Sequence, residues 1–334
     1  MKQLIHTFNI SKHPAFQAAA ALTTDVMTIS RLNYKPDLMQ ITSLYPLPAM
    51  PRQFTKTFED ISLQRAQDLW VECALYQNIN ILWSGGIDST LALVALILTL
   101  PNKFNITVYC NFSSINENER FYKLLLANKS VILKNSSVLT ETVPTQFVTG
   151  DLGDQIFGSE LLFRIDREFG FENLKKPFQQ IIPKLFNSRC GSELGSVLYD
   201  RYLPIINECP FPLKSAFDFI WWWNYTQKWQ GVKLRKQCYL KNDMKLFHFF
   251  DSSDFELWSV FNHELKIGSV IESYKKSAKD FIFKYDNNEF YLNFKKKCSS
   301  PFGGKVYYFA HYDDGSKIFS WSECQKEIES RSLL

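Results

Sequence analysis

Ile79-Asn80-Ile81-Leu82-Trp83-Ser84-Gly85-Gly86-Ile87-Asp88-Ser89-Thr90 is the stretch whose reading decides the fold. Its first part, a short apolar run bounded by Asn78, reads as a buried strand. Its last part opens onto Leu91 to Leu100, an unbroken series of helix formers that stops at Pro101. Strand, glycine turn and helix thus follow one another directly. Adjacent glycines let a backbone approach a ligand closely, and the first free N–H groups of the helix point into the turn. With the helix dipole behind them and the hydroxyls of Ser84, Ser89 and Thr90 around them, these amides form an anion cradle, for which phosphate is the expected anion. A carboxylate beside phosphates repels them unless a cation lies between, so Asp88 argues for Mg²⁺, which binds one or two carboxylates plus phosphate oxygens. The plainer alternative is a tight strand-to-helix turn capped by Asp88. No Gly-Lys-Ser/Thr follows, so the loop is not a Walker A loop, and the spacing is not that of a dinucleotide fingerprint.

Working outward, strands and helices alternate. A helix is expected from Thr57 to Gln77, a second strand over Asn105–Cys110, a helix from Glu117 to Asn128, a third strand over Lys129–Lys134 and a fourth over Gln146–Thr149. This alternation predicts an α/β fold with a doubly wound, mostly parallel sheet, in which ligands collect beyond the carboxyl ends of the strands. Trp83, Cys110 and Gly150 stand at such ends. They join Ser84, Gly85, Gly86, Asp88, Ser89 and Thr90 as candidate nucleotide contacts.

A second glycine turn, Gly150-Asp151-Leu152-Gly153-Asp154-Gln155-Ile156-Phe157-Gly158-Ser159, follows the fourth strand. Asp151 and Asp154 are three apart at an expected helix start. They could share Mg²⁺, or one could hold metal while the other accepts a proton. Capping of the helix by acidic residues is the alternative.

Ser84-Gly85-Gly86-Ile87-Asp88-Ser89 resembles the pyrophosphate loop of the N-type ATP pyrophosphatases, the PP-loop superfamily, whose signature is SGGxDS. The second turn resembles the GEGSDEIFGG motif of asparagine synthetases, and the two together narrow the resemblance to the synthetase domain of that family. The resemblance implies an adenine nucleotide alpha hydrolase-like fold, ATP and Mg²⁺ as cofactors, and cleavage of ATP between the α and β phosphates. Position by position it implies that Asp154, with Asp88, is linked to the metal, that Asp151 stands near the acceptor, and that Gly158 is the first closing glycine. Asp151 is one methylene shorter than the family's glutamate, Gln155 replaces its second acid and Ser159 its second closing glycine. These departures fall on the acceptor side.

Ser273-Tyr274-Lys275-Lys276-Ser277-Ala278-Lys279-Asp280 puts positive charge along one helix face, which by itself reads as a solvated basic helix. It resembles the family's KxxLR helix, whose first lysine reaches the ATP phosphates. The resemblance assigns that role to Lys275, with Lys279 at the arginine place; a register slip of one would move the role to Lys276. Leu246 to Asp251 resembles the stretch ending in PFLD, which implies that His248 and Asp251 lie near the cleft. A lone histidine in an apolar run otherwise reads as core.

The totals agree with a globular protein. The 334 residues are 46% hydrophobic, enough for a sizeable core, and 38 Lys plus Arg against 34 Asp plus Glu give +4. That bias is too small to indicate nucleic acid or a membrane as partner. Seven cysteines without a CxxC spacing point to reduced thiols in a cytoplasmic protein, without a disulfide framework or a zinc or iron-sulfur site. The N-terminal residues lack the apolar core of a signal peptide, and Leu91 to Leu100 is too short to span a bilayer. Residues 1–60 read as an N-terminal addition with strands at Leu4–Ile10 and Met39–Tyr45. Residues 61–285 read as the catalytic domain. Residues 286–334 read as a small β appendage with strands at Glu289–Phe294, Lys305–His311 and Lys317–Trp321. Phe217 to Asn224, with Tyr225 and Trp229, reads as a buried helix, the alternative being a substrate wall.

These readings lead to an ATP-dependent, AMP-forming carbon-nitrogen ligase that adenylates a carboxylate for attack by ammonia or an amine, with Lys275 and Asp151 as catalytic residues. Position 2 is Lys, and the segment before Ser84 is too short for an amidotransferase domain, so the chain is not expected to hydrolyse glutamine. The expected partners are therefore ATP, a small carboxylate or larger acceptor, and a separate nitrogen-donor protein or free ammonia. The rival readings are a PP-loop enzyme that adenylates a nucleobase, peptide or other acceptor, and a non-catalytic nucleotide-binding protein.

Overall fold

The computed structural model describes residues 3–5, 30–34, 45–73, 78–102, 104–135, 146–235, 245–295, 309–312 and 315–318. The chain divides into two compact units, one of Pro48–Phe157 with Tyr239–Cys298, the other of Met1–Leu47, Gly158–Cys238 and Ser299–Leu334.

In the first unit, β1 (Asn78–Leu82), β2 (Asn105–Cys110), β3 (Val131–Asn135), β4 (Gln146–Thr149) and β5 (Lys245–His248) form one sheet. Their order is β3-β2-β1-β4-β5 and every pairing is parallel. Ile79, Ile81, Ile106, Val108, Phe147 and Val148 are all buried, as strands covered on both faces require. The order reverses at β1: the chain winds outward through β2 and β3, then returns to the other side of β1 as β4. At such a reversal the loops leaving the two central strands part, and a crevice opens beyond their carboxyl ends. Both glycine turns lie at this place.

Helices flank the sheet. α1 (Phe58–Glu72) starts at a reciprocal cap, in which Thr57 accepts the Asp60 N–H and Asp60 accepts the Thr57 N–H, and it buries Phe58, Ile61, Leu69 and Trp70. α2 (Ile87–Leu98) has no exposed surface from Leu91 to Leu96, and it packs against both α1 and α7 (Lys276–Asp286). A helix buried in this way is a core element, and Leu91, Leu93 and Leu96 each contribute about 1.5–3 kcal/mol by burial. The remaining helices of the unit are α3 (Phe112–Glu117), α4 (Glu119–Ala127), α5 (Gly153–Phe157), α6 (Ser253–Phe261) and α8 (Glu289–Phe294).

The last of these corrects the sequence reading, which expected a strand over Glu289–Phe294. Asn287 takes a left-handed conformation (φ 47°) that ends α7, and the Asn288 side chain then accepts the Tyr291 N–H at 3.1 Å, so one asparagine closes a helix and the next opens another. The apolar positions are aromatic rings at helical spacing: Phe290 and Phe294 pair on the exposed face with centroids 5.5 Å apart, while Tyr291 is buried.

The second unit holds helices over Leu161–Phe169, Phe178–Cys190, Ser192–Tyr202, Ala216–Trp223 and Trp229–Arg235, with a π-helical turn over Asn224–Lys228. Trp221, Trp222, Trp223, Tyr225 and Trp229 have no exposed surface, so the tryptophan run is core, stacked internally through pairs such as Trp221 with Phe211 and with Tyr225. Gln3–Ile5 pairs antiparallel with Phe309–Tyr312, which pairs antiparallel with Gly315–Ile318. Most of the strand expected over Met39–Tyr45, and the start of that over Lys305–His311, lie outside the described residues. No described helix is long and apolar enough to cross a membrane.

Candidate active site

The first turn is held from beneath. Trp83 donates its backbone N–H to the Tyr109 carbonyl and its indole N–H to the Thr90 hydroxyl, both at 3.0 Å, and both side chains are buried. Ser89 receives the Ser84 N–H at 3.1 Å, and its hydroxyl lies 3.0 Å from that of Ser84 and 3.2 Å from the Gly86 carbonyl. Gly85 has φ +78°, and a Cβ there would lie 2.3 Å from the Ser114 carbonyl oxygen and 2.7 Å from the Glu117 Cβ. Only glycine fits. Gly86 then caps α2 without a side-chain bond, leaving its first amides to a ligand.

The two turns meet by close backbone contact. A Cβ on Gly150 would lie 2.5 Å from the Ser89 nitrogen, and one on Gly153 2.4–2.8 Å from the Asp88 carboxyl atoms. Between these glycines Leu152 is forced to φ 76°, a sparsely populated conformation for a side chain branched at Cγ. Asp88, Asp151 and Asp154 all keep partial access to solvent, whereas Gly153 and Leu152 are buried.

Lys275 joins the turns chemically. Its Nζ lies 2.6 Å from Asp88 Oδ1, 2.5 Å from Asp88 Oδ2 and 2.8 Å from Asp154 Oδ1. The lysine is 1% exposed and each carboxylate about a fifth exposed, so the pair reaches solvent and the lysine is buried behind it. Lys275 has φ 61° as the residue that caps α7, and its N–H donates to the Lys266 carbonyl at 3.1 Å. Like Leu152 it is a non-glycine residue with positive φ, so two of these costly conformations flank the site. Tyr274 adds a hydroxyl 3.5 Å from Asp154 Oδ1. Lys276, the alternative in a slipped register, pairs with Asp280 on the surface instead. Lys279 is buried, donates to the Glu272 carbonyl at 2.6 Å, and has its pKa pulled down to about 8, by burial first and then by the nearby charges of Lys295 and Lys275.

The acceptor-side residues group one strand over. Register pairs Thr149 of β4 with His248 of β5. Their side chains meet at 2.9 Å (Oγ1 to Nδ1), and Asp151 Oδ2 lies 3.3 Å from the Thr149 hydroxyl and 3.9 Å from His248 Nδ1. His248 is 1% exposed and Asp151 12%. The histidine is therefore a core residue by burial and a polar contact of Asp151 by position. Asp251 lies in the turn after β5, its N–H bonded to the His248 carbonyl.

The remaining candidates separate by orientation. Ser84 is exposed and Gly86 half-buried, open to a ligand, while Ser89 and Thr90 are buried and hold the loop. Cys110 ends β2 buried, its thiol pushed up by burial. Gln155 is buried, and Gly158 and Ser159 belong to the other unit, where the Gly158 carbonyl accepts from Asn224.

Neither a protein-family model nor a curated protein matches this chain. The site therefore rests on its own geometry.

Lys295 and Glu117 are not among the site residues expected from the sequence, where Glu117 is only the start of a helix; in the structure it ends α3. Lys295, directly after α8, forms an ion pair with Glu117, whose Cβ packs against Gly85. The signal for it was the Asn287-Asn288 pair: a helix opened there places Lys295 four residues beyond buried Tyr291.

Proposed function

We propose that this protein is an ATP-dependent, AMP-forming ligase of the asparagine synthetase-like PP-loop type. The observation that carries the reading is the Lys275 ammonium lying between Asp88 and Asp154, one carboxylate from each turn. Two acids and a buried lysine that converge beside an amide-lined loop suit a triphosphate and its counter-ion. Among the described residues no three His, Cys, Asp or Glu side chains are arranged for a metal. Mg²⁺ needs only one or two carboxylates once phosphate oxygens complete its shell, and Asp88 and Asp154 would supply them. Bound there, Mg²⁺ would offset charge on the β and γ phosphates.

In this reading the loop amides and the Ser84 hydroxyl hold the phosphates. The acceptor carboxylate attacks the α phosphorus, the bond to the bridging oxygen breaks and pyrophosphate leaves, while Lys275, buried behind Asp88 and Asp154, supplies a fixed positive charge that offsets the charge on the leaving group. A nitrogen nucleophile then attacks the acyl carbon and AMP departs. Asp151, its carboxylate held by Thr149 and His248, takes the proton of that nitrogen.

The test is incubation with ATP, Mg²⁺ and a panel of carboxylic acids. Formation of AMP and pyrophosphate in equal amounts is expected; ADP and phosphate would refute the assignment. A non-aspartate acceptor is the second reading, favoured by the shorter Asp151 and its engagement by Thr149 and His248, which draw that carboxylate back toward the sheet. Asparagine formation from aspartate and ammonia would remove it.

A further inference from the structure

We infer that Lys295 is a further pyrophosphate-binding residue, and that Glu117 holds it at the edge of the first turn until the polyanion displaces the carboxylate. The inference deepens the proposed function and rests on it.

Three observations carry it. First, Lys295 reaches the loop: its ammonium pairs with the Glu117 carboxylate and lies 3.4 Å from the Glu117 carbonyl, and Glu117 is the side chain whose Cβ the missing Cβ of Gly85 would strike. Second, the segment that delivers it is fixed in place by burial and by a hydrogen bond at its start. Tyr291, one turn earlier in α8, is fully buried, and its phenol is pushed upward by that burial and by Asp88, Asp286 and Glu117, with the Thr90 hydroxyl acting in the opposite direction. Arg120 of α4 also ties the junction between α7 and α8 by donating to the Asn287 carbonyl at 3.1 Å. Third, Lys275, Lys279 and Lys295 lie close enough that the charges of the other two bear on Lys279. Three ammonium groups gathered, Lys275 between Asp88 and Asp154 and Lys295 against Glu117, form an arrangement in which a multivalent anion can take the place of the Glu117 carboxylate.

The geometry also fixes the sign of each change. Glu117 competes with a bound polyanion for Lys295, so removing its charge should tighten binding, whereas removing Lys295 should weaken it. Lys295 is 13% exposed and Glu117 22%, so the pair is screened only in part and remains exchangeable.

The experiment is calorimetric titration of the full chain with inorganic pyrophosphate and Mg²⁺, with AMP as the control that lacks the β and γ phosphates. Lys295→Gln is expected to weaken pyrophosphate binding about tenfold, the scale of one charge-assisted hydrogen bond. AMP binding should be unchanged. Glu117→Gln should tighten pyrophosphate binding about threefold, which a general loosening of the fold would not do. Wild-type binding of pyrophosphate with no change in either variant would overturn the role of Lys295 and leave the ligase reading standing. Absence of pyrophosphate and ATP binding in the wild type would overturn both.

Discussion

The two ends of the crevice are built from the same parts and finished differently. At one end Asp88 and Asp154 share the buried ammonium of Lys275; at the other Asp151 shares a threonine hydroxyl and the imidazole of His248. Both ends hang from the carboxyl edges of neighbouring parallel strands. The first concentrates opposite charges that only a cation and a polyanion can replace. The second places a single carboxylate beside a hydroxyl and an imidazole. Under the proposed function the two ends would divide the labour, the Lys275 end serving phosphate chemistry and the Asp151 end the step in which a proton leaves the nitrogen.

The largest effect should come from breaking the first end. Lys275→Met is expected to lower ATP–pyrophosphate exchange about a thousandfold, the upper range for loss of one preorganised electrostatic group. It also leaves two carboxylates facing each other, which costs about 3 kcal/mol for a pair this buried. Mg²⁺ should therefore raise the melting temperature of the variant more than that of the wild type. An equal shift in both proteins would mean that the two acids do not share a cation.

Next in size is Gly153→Ala. The added Cβ would overlap the Asp88 carboxyl atoms at 2.4–2.8 Å, so one turn pushes on the other. Displacing a positioning group by about 1 Å costs on the order of a hundredfold in rate. Exchange activity should fall by that factor with little loss of stability, since the displaced side chain is partly exposed. Unaltered exchange would show that contact between the turns is incidental.

The second end is tested by Asp151→Asn and His248→Gln. Both should leave ATP–pyrophosphate exchange within about threefold of wild type and lower amide formation on the order of a hundredfold, the range of one general base. A parallel fall in exchange and amide formation would merge the two ends into one.

How much of this was legible in the sequence depends on distance along the chain. The strand, turn and helix from Asn78 to Leu98 follow from local rules: an apolar run, a glycine pair and helix formers ended by Pro101. The second turn was legible for the same reason, and the convergence of Asp88 and Asp154 followed from placing both at strand ends. Thr149 and His248 meet only because β5 joins β4 in register after the intervening unit, which no local pattern announces. From its own apolar run His248 reads as core, which its burial bears out, and only the resemblance puts it near the cleft, where it meets Thr149. Glu289–Phe294 misled because aromatic residues satisfy alternation and helical spacing equally over six positions. The choice was made by Asn287 and Asn288, whose side chains and left-handed tolerance end one helix and begin the next.

The smallest effect, and the one that separates stability from binding, concerns Lys279. Its folded pKa of about 8 lies below the ordinary 10.5. Between those values the unfolded chain holds a proton that the folded chain has released, so this residue makes stability rise as pH increases from about 8 to 10.5. The penalty of burying its charge is fully present below pH 8 and gone above 10.5. Binding of a polyanion should run the other way, since the ammonium that attracts it is lost through the same pH of about 8. The difference between wild type and Lys279→Met isolates the group from the other lysines and tyrosines that titrate nearby. Urea midpoints of the wild type should gain on those of the variant between pH 8 and 10.5, while its several-fold advantage in pyrophosphate affinity at pH 7 should shrink over the same interval. Curves that move together would mean that Lys279 supports the fold alone. Curves that cross would place its charge on the phosphate side of the comparison, beside Lys275 and opposite Asp151.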